Sequence, residues 1–178
     1  MKVHLLTLLF PKFEEIEATV PIDLWRRAGI QVTTAGVVSM IEGAHGINYK
    51  PDQDLSEIDF NAFDGLFIPG GPGVFDLQEN PFVLQLIRQF NEKNKWILAI
   101  CAAPLLLKAA GCLPENFTAH ACTSEALVGN KNVPVVTDKN IITGRGPGAV
   151  FPFAFELIQL LTSPENVLQL KRSIHYEY

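Results

Sequence analysis

The sequence predicts an α/β protein built on a mostly parallel sheet with helices on both faces. Three stretches carry that prediction. Residues 3–9, 14–28 and 30–36 read as strand, helix and strand, and right-handed crossover makes the two strands parallel. Residues 96–100, Trp-Ile-Leu-Ala-Ile, form the short unbroken apolar run of a strand buried on both faces, and an Ala/Leu-rich run of helical preference follows at once. Residues 63–69 form another short strand that runs straight into Gly70-Gly71-Pro72-Gly73. In open α/β folds the edge where such strands end is where ligands are held.

Taken in order, the first strand stops at Phe10-Pro11, because proline forces its predecessor into extended geometry. The 14–28 helix has acids in its first turn, Arg26-Arg27 in its last and Gly29 as its C-terminal stop; Pro21 should kink or interrupt it. At about 100° per residue, Phe13, Ile16, Val20 and Leu24 share one arc with Glu17, while Glu14 and Glu15 point elsewhere. Residues 37–59 read as short irregular strands turning at Gly43 and Gly46. Pro81 opens an amphipathic helix over 81–91. Beyond the cysteine strand come a segment at 117–122, another at 124–127, and short strands at 133–137 and 141–143. The Gly-rich 144–148 then starts a Phe-rich helix over 149–161, a last helix covers 164–170, and the polar tail 171–178 either frays or packs late.

Composition narrows the function. The 178 residues, 48% hydrophobic and 19% charged, suit one globular domain over 1–178 with a well-buried core and no disorder. With 14 basic against 19 acidic residues, a net charge of −5 and no basic block, nucleic acid is a poor partner. No run is long and apolar enough to span a membrane, and the N-terminal apolar stretch lacks a small-residue cleavage site. Cys101, Cys112 and Cys122 are an odd number without metal-type spacing, which points to no metal and a reducing cytoplasm. No repeat or linker is visible.

Two residues stand out chemically. Cys101 occupies the corner between a buried strand and a helix start, a layout similar to a nucleophile elbow, where unpaired N–H groups favour an anion. It reads either as a reactive thiol or as a buried structural cysteine. Glu17 lies on a core-facing arc, where a carboxylate must be paired or protonated, or else at the edge of that arc where it reaches solvent. Both follow strands of the same sheet, as does Gly70-Gly71, so they should meet at one edge, with the N–H groups of Gly71 and Ala102 aimed at an oxyanion. A protonated Glu17 donating to the Cys101 thiolate lowers the thiol's pKa. His120 supplies a base if its segment crosses that edge, and is otherwise a solvated or structural histidine. Gly70-Gly71-Pro72-Gly73 alone is weak, matching neither the dinucleotide fingerprint nor the P-loop. Cys112 and Cys122 read as packing or edge thiols, and His4 and His175 as structural.

These residues together resemble the ThiJ/PfpI superfamily, in the subgroup of the Parkinson-associated protein DJ-one. The matching motifs are Glu14-Glu15-Ile16-Glu17-Ala18-Thr19-Val20-Pro21-Ile22-Asp23, Arg26-Arg27-Ala28-Gly29-Ile30-Gln31-Val32-Thr33, Pro69-Gly70-Gly71, Ala99-Ile100-Cys101-Ala102-Ala103-Pro104 and Arg145-Gly146-Pro147-Gly148. They follow the family's order over essentially the whole chain. The resemblance implies a flavodoxin-like three-layer sandwich, class I glutamine amidotransferase-like, in a homodimer. It implies that Cys101 is the oxidation-prone nucleophile, Glu17 its protonated partner, His120 the histidine of the site, and Gly71 and Ala102 its backbone donors. Arg27 matches a basic residue that reaches the partner subunit's site. His45 falls where the human relative has an anion-binding arginine, a departure. The protease-like branch carries His directly after the cysteine; Ala102 stands there instead, which disfavours a Cys-His peptidase. The chain ends soon after its last helix, so a more open site is expected.

The function so implied is a cofactor-independent glyoxalase or deglycase acting on methylglyoxal, glyoxal or their early thiol and amine adducts through a Cys101 hemithioacetal. No metal or nucleotide is required. The alternative is an oxidative-stress sensor or redox-regulated chaperone using the same cysteine, and a thiamine-related biosynthetic role ranks last for want of a phosphate-binding motif.

Overall fold

The computed structural model describes residues 3–176. Its frame is a seven-stranded sheet in the order β5-β2-β1-β6-β7-β9-β8, formed by β1 (His4–Leu8), β2 (Gln31–Gly36), β5 (Gln53–Asp54), β6 (Gly65–Ile68), β7 (Trp96–Ile100), β8 (Val135–Asp138) and β9 (Ile141–Gly144). All neighbours are parallel except β8, which runs antiparallel to β9 at the edge. Parallel strands need both faces covered. One helix group, α1 (Glu15–Arg27), α5 (Val150–Leu161) and α6 (Pro164–Ser173), packs together on one side. The other, α2 (Gly73–Leu77), α3 (Pro81–Glu92) and α4 (Pro104–Ala109), covers β6 and β7. The short hairpin β3 (Ile41–Glu42) and β4 (Asn48–Tyr49) stands outside the main sheet.

The central strands are buried along their length because each has a helix on either face. Leu66, Phe67, Ile68 and Ile97 to Ile100 are wholly inaccessible, which matches the unbroken apolar runs in the sequence. Trp25 ties the layers together. Its ring meets Phe67 edge-on at 4.9 Å, lies 6.2 Å from Phe153, and its Nε1–H donates to the Ala154 carbonyl at 3.1 Å. Truncating such a ring typically costs about 3–5 kcal/mol.

Several expectations need correction. Pro21 does not interrupt α1, which runs unbroken through it. The proline gives up one backbone donor, yet it is itself buried with Ala18, Leu24 and Trp25, and that tertiary packing outweighs the loss. The buried stripe of α1 is also rotated from the arc expected. Ile16 is 44% exposed, while Glu15 and Glu17 are both buried. Ala18, Pro21 and Trp25 define the inner face, and Ile16 lies roughly opposite Ala18 at about 100° per residue. The short helix α2 had no sequence signal, since five residues are too few to show a period. At the other end α6 continues to Ser173, and Tyr176 stacks on Phe151 at 5.0 Å, so the tail packs; residues 177–178 of that tail lie outside the described residues.

Candidate active site

At the C-terminal edge of the sheet, β7 ends at Ile100 and Cys101 turns the chain with φ +63°, a left-handed conformation costly for a residue with a Cβ. Two bonds hold it there. Cys101 N–H donates to the Gly144 carbonyl at the end of β9, and the Cys101 carbonyl accepts from His120 N–H, both at 2.9 Å. Residues 101–103 form this turn, and α4 begins only at Pro104, whose missing N–H suits a first helical position. The Ala102 N–H has no backbone acceptor among the described residues.

The glycines opposite are there for space. A Cβ on Gly70 would stand 2.5 Å from both Cys101 Cβ and Glu17 Oε2. Gly71 has φ +106°, and its N–H hydrogen-bonds the Cys101 sulfur.

Glu17, in the first turn of α1, is completely buried. Its Oε2 accepts from Gly70 N–H at 2.9 Å, and its carboxyl group hydrogen-bonds with the Cys101 thiol. Oε1 accepts no hydrogen bond among the described residues, and it faces Gly146. Burial raises the Glu17 pKa from 4.5 to about 7; the bonds from Cys101 and Gly70 pull the other way, and the charge of Glu14 adds to the rise.

While Glu17 carries its charge, the thiol is pushed the other way. Burial pushes Cys101 upward, the charge and hydrogen bond of Glu17 push it further, and only Gly71 N–H opposes them. The physical reason is that two negative charges in one dry pocket are prohibitive, so thiol and carboxyl share a single ionisation. A Cys101 thiolate therefore forms with Glu17 protonated, and an ionised Glu17 leaves the thiol neutral.

His120 lies at the edge as one of the two readings required. Its ring is exposed, and Nδ1 accepts from Cys122 N–H at 3.2 Å, which leaves Nε2 to carry the hydrogen of a neutral imidazole. Beside it opens a cavity of about 320 Å³ lined by His120, Asn132, Arg145, Gly146 and Pro147. Gly146 is the shared wall, since a Cβ there would meet His120 Cδ2 at 3.1 Å and Glu17 Oε1 at 3.9 Å.

The other two anticipated residues are not brought into this site. Arg27 sits ten residues beyond Glu17, about 15 Å along α1, in an exposed pair with Asp23 at 2.6 Å. His45 is on the β3–β4 loop, where its N–H donates to Glu15 Oε1 at 2.6 Å and Nδ1 meets Glu15 Oε2 at 3.0 Å. Glu14 lies 3.4 Å away as well, so two carboxylates already occupy the histidine. Their bond and charge raise the His45 pKa. Burial pushes Glu15 up, but its bonds from His45 and Ile47 outweigh that and hold it below the usual range. Glu14, Glu15 and His45 are close enough to hold a metal, yet both oxygens of Glu15 already brace the loop.

Sequence reasoning missed Glu15 as a brace, since the helical arc placed it outside. Cys122, expected as a packing or edge thiol, is exposed and close enough for its charge to bear on Cys101. Cys112 is a packing thiol as read, donating to the Ala110 carbonyl.

Known proteins share this arrangement of fold and sequence. The chain is 35% identical over 166 residues to the "Glutathione-independent glyoxalase DJR-1.2" of Caenorhabditis elegans, covering 90% of this chain and 89% of the relative. It is 30% identical over 176 residues to the "Glutathione-independent glyoxalase DJ-1" of Schizosaccharomyces pombe, covering 90% and 92%. The crystal structure of Drosophila melanogaster DJ-1beta superposes with a TM-score of 0.93 at 32% identity over 100% of both chains. The profile of the DJ-1/PfpI family matches residues 1–160, and with a cysteine elbow facing a buried glutamate on a sheet of this topology, the chain belongs to that family.

Proposed function

We propose that this protein is a glutathione-independent glyoxalase that converts methylglyoxal or glyoxal, free or as early thiol and amine adducts, into a hydroxy acid. The observation that carries the reading is a wholly buried Glu17, raised to about 7, beside a strained Cys101. The two share one proton, and the reaction uses it at each stage. With the proton on Glu17, the Cys101 thiolate adds to the aldehyde carbon; the C–S bond forms and the carbonyl π pair becomes an alkoxide. The N–H groups of Gly71 and Ala102 suit that oxygen, and Glu17 supplies its proton.

Glu17 is then a carboxylate whose Oε1 is free to remove the hydrogen from the former aldehyde carbon, giving an enediolate. Protonation of the neighbouring carbon, by Glu17 or through His120 Nε2, with the hydroxyl proton of the first carbon passing to the oxygen of the second, yields a thioester. Water releases the hydroxy acid and returns the thiol. Overall, one methylglyoxal and one water become one lactate, with no external oxidant or reductant.

A homodimer in the cytoplasm completes the proposal. The exposed Ile16, Val37, Val38, Met40 and Ile47 support an apolar interface, across which Arg27 reaches the partner's site. The second reading, a redox sensor, draws on the same observation, because a thiolate held by Gly71 N–H and a protonated Glu17 is also an oxidation target.

The test is lactate formation from methylglyoxal by purified wild type, Cys101→Ala, Glu17→Ala and His120→Ala with metal chelated. Turnover in wild type, lost in the first two variants, is expected, and His120→Ala reports on the proton relay. A wild type that makes no lactate while Cys101 becomes sulfinate in mild peroxide gives the sensor reading instead.

A further inference from the structure

Cys122 is a nucleophile beside the site that aldehyde turnover leaves unused. It is moored there. His120 N–H bonds the Cys101 carbonyl at 2.9 Å, and two residues on, Cys122 N–H bonds His120 Nδ1 at 3.2 Å. The 3-10 turn Ala121–Thr123 that carries Cys122 is closed by Thr123 N–H on the His120 carbonyl at 3.0 Å. The segment bearing the second thiol is thus hydrogen-bonded directly to the turn bearing the first. The charge of Cys122 bears on Cys101, and that of Glu17 bears on Cys122.

Exposure separates their roles. Cys101 is only 8% exposed, whereas Cys122 is exposed on a turn that buried Thr123 anchors, its Oγ1 donating to the His120 carbonyl at 2.7 Å. A disulfide asks for Cα atoms within about 7 Å, and the 2.9 Å bond from His120 N–H to the Cys101 carbonyl brings the chain two residues before Cys122 against the turn that bears Cys101. Cys112, past the far end of α4 and bonded to Ala110, has no such relation to the site.

We propose that Cys122 is a resolving thiol that captures oxidised Cys101 as an intramolecular disulfide. The oxidant is a peroxide. The Cys101 thiolate attacks its O–O bond; an S–O bond forms, hydroxide or alkoxide leaves, and the sulfur loses two electrons as the peroxide gains them. The Cys122 sulfur then attacks the sulfenyl sulfur of Cys101. The S–S bond forms, the S–O bond breaks, and the hydroxyl departs as water with the Cys122 proton. A dithiol reductant reverses the product, so the catalytic sulfur is held short of irreversible sulfinate. This pairing stands whether or not the protein turns over aldehydes, because it depends only on oxidation of Cys101.

The test is peroxide titration followed by thiol alkylation and mass mapping without reduction. Cys112 and Cys122 lie between the same two lysines, Lys108 and Lys131, so Cys112→Ser is the parent protein. Expected is a loss of two hydrogens, a cross-link between the peptides holding Cys101 and Cys122, and recovery of both thiols with dithiothreitol. In Cys112→Ser/Cys122→Ser the Cys101 peptide should instead gain two oxygens, irreversibly. The proposal is overturned if both proteins form sulfinate at the same rate, if the cross-link joins two molecules, or if Cys101 stays reduced at peroxide levels that oxidise free cysteine.

Discussion

Replacing Glu17 by Gln isolates the charge at the centre of the site while keeping the shape. Folding lifts the Glu17 pKa from 4.5 to about 7, so the folded protein holds this proton more tightly than the unfolded chain does. The favourable contribution is complete below pH 4.5 and is lost as pH rises through 7, where the folded state must bury a carboxylate. At about 1.4 kcal/mol per tenfold, the change across that window is about 3 kcal/mol. Gln keeps an oxygen for Gly70 N–H but has no proton to lose. Its amide leaves a fixed offset of about 1–3 kcal/mol, because a donor now occupies the place of the unpartnered Oε1.

The quantity to read is therefore the pH dependence of the difference. Urea denaturation of both proteins from pH 4 to pH 8.5 should show wild type losing about 3 kcal/mol relative to Glu17→Gln, centred between 4.5 and 7. In thermal melts of a chain this size that is roughly 6–12 °C. A difference that stays constant across the range refutes a buried, proton-holding Glu17.

Other outcomes follow from the same geometry. Gly70→Ala drives a methyl against Cys101 Cβ, Glu17 Oε2 and the Ile100 carbonyl, so it should cost about 1–3 kcal/mol and abolish lactate formation; an active, equally stable variant contradicts the packing. Removing the Glu17 charge should also let Cys101 react faster with iodoacetamide at neutral pH, since that charge is one of the forces holding the thiol up; slower alkylation in Glu17→Gln opposes this. In Glu15→Gln the His45 titration, followed by NMR, should fall toward its ordinary 6.5, and an unmoved value would deny the Glu15–His45 pairing.

How much of this was legible in sequence depends on what each residue answers to. The run Trp96–Ile100 is legible with its observed bounds because a central parallel strand is apolar at every position, whichever face it shows. Cys101 and Glu17 stood out because each broke a local rule, a polar atom at a buried corner and an acid on an inner face. Their meeting followed from the topology, since both elements start at the same sheet edge.

What stayed hidden depends on contacts distant in sequence. Glu15 is buried by the 43–47 loop folding over it, and no helical period records that loop. Ile16 looked internal because the arc was centred on apolar residues, whereas the true inner face is set by Ala18, Pro21 and Trp25 packing against the sheet and α5. The rise of the thiol depends on burial and on the Glu17 charge beside it, which no local pattern records. His45 could not be separated from an anion ligand until Glu14 and Glu15 were seen around it.

The account rests on a division of labour: Cys101 makes the bond to the aldehyde and Glu17 moves the proton. Rapid-quench intact mass measurement of wild type, Glu17→Gln and Cys101→Ala mixed with methylglyoxal separates those duties. Wild type should pass through a Cys101 adduct and discharge lactate, Glu17→Gln should accumulate the adduct without lactate, and Cys101→Ala should form neither. Lactate released by Glu17→Gln at the wild-type rate, or by Cys101→Ala at all, would contradict it.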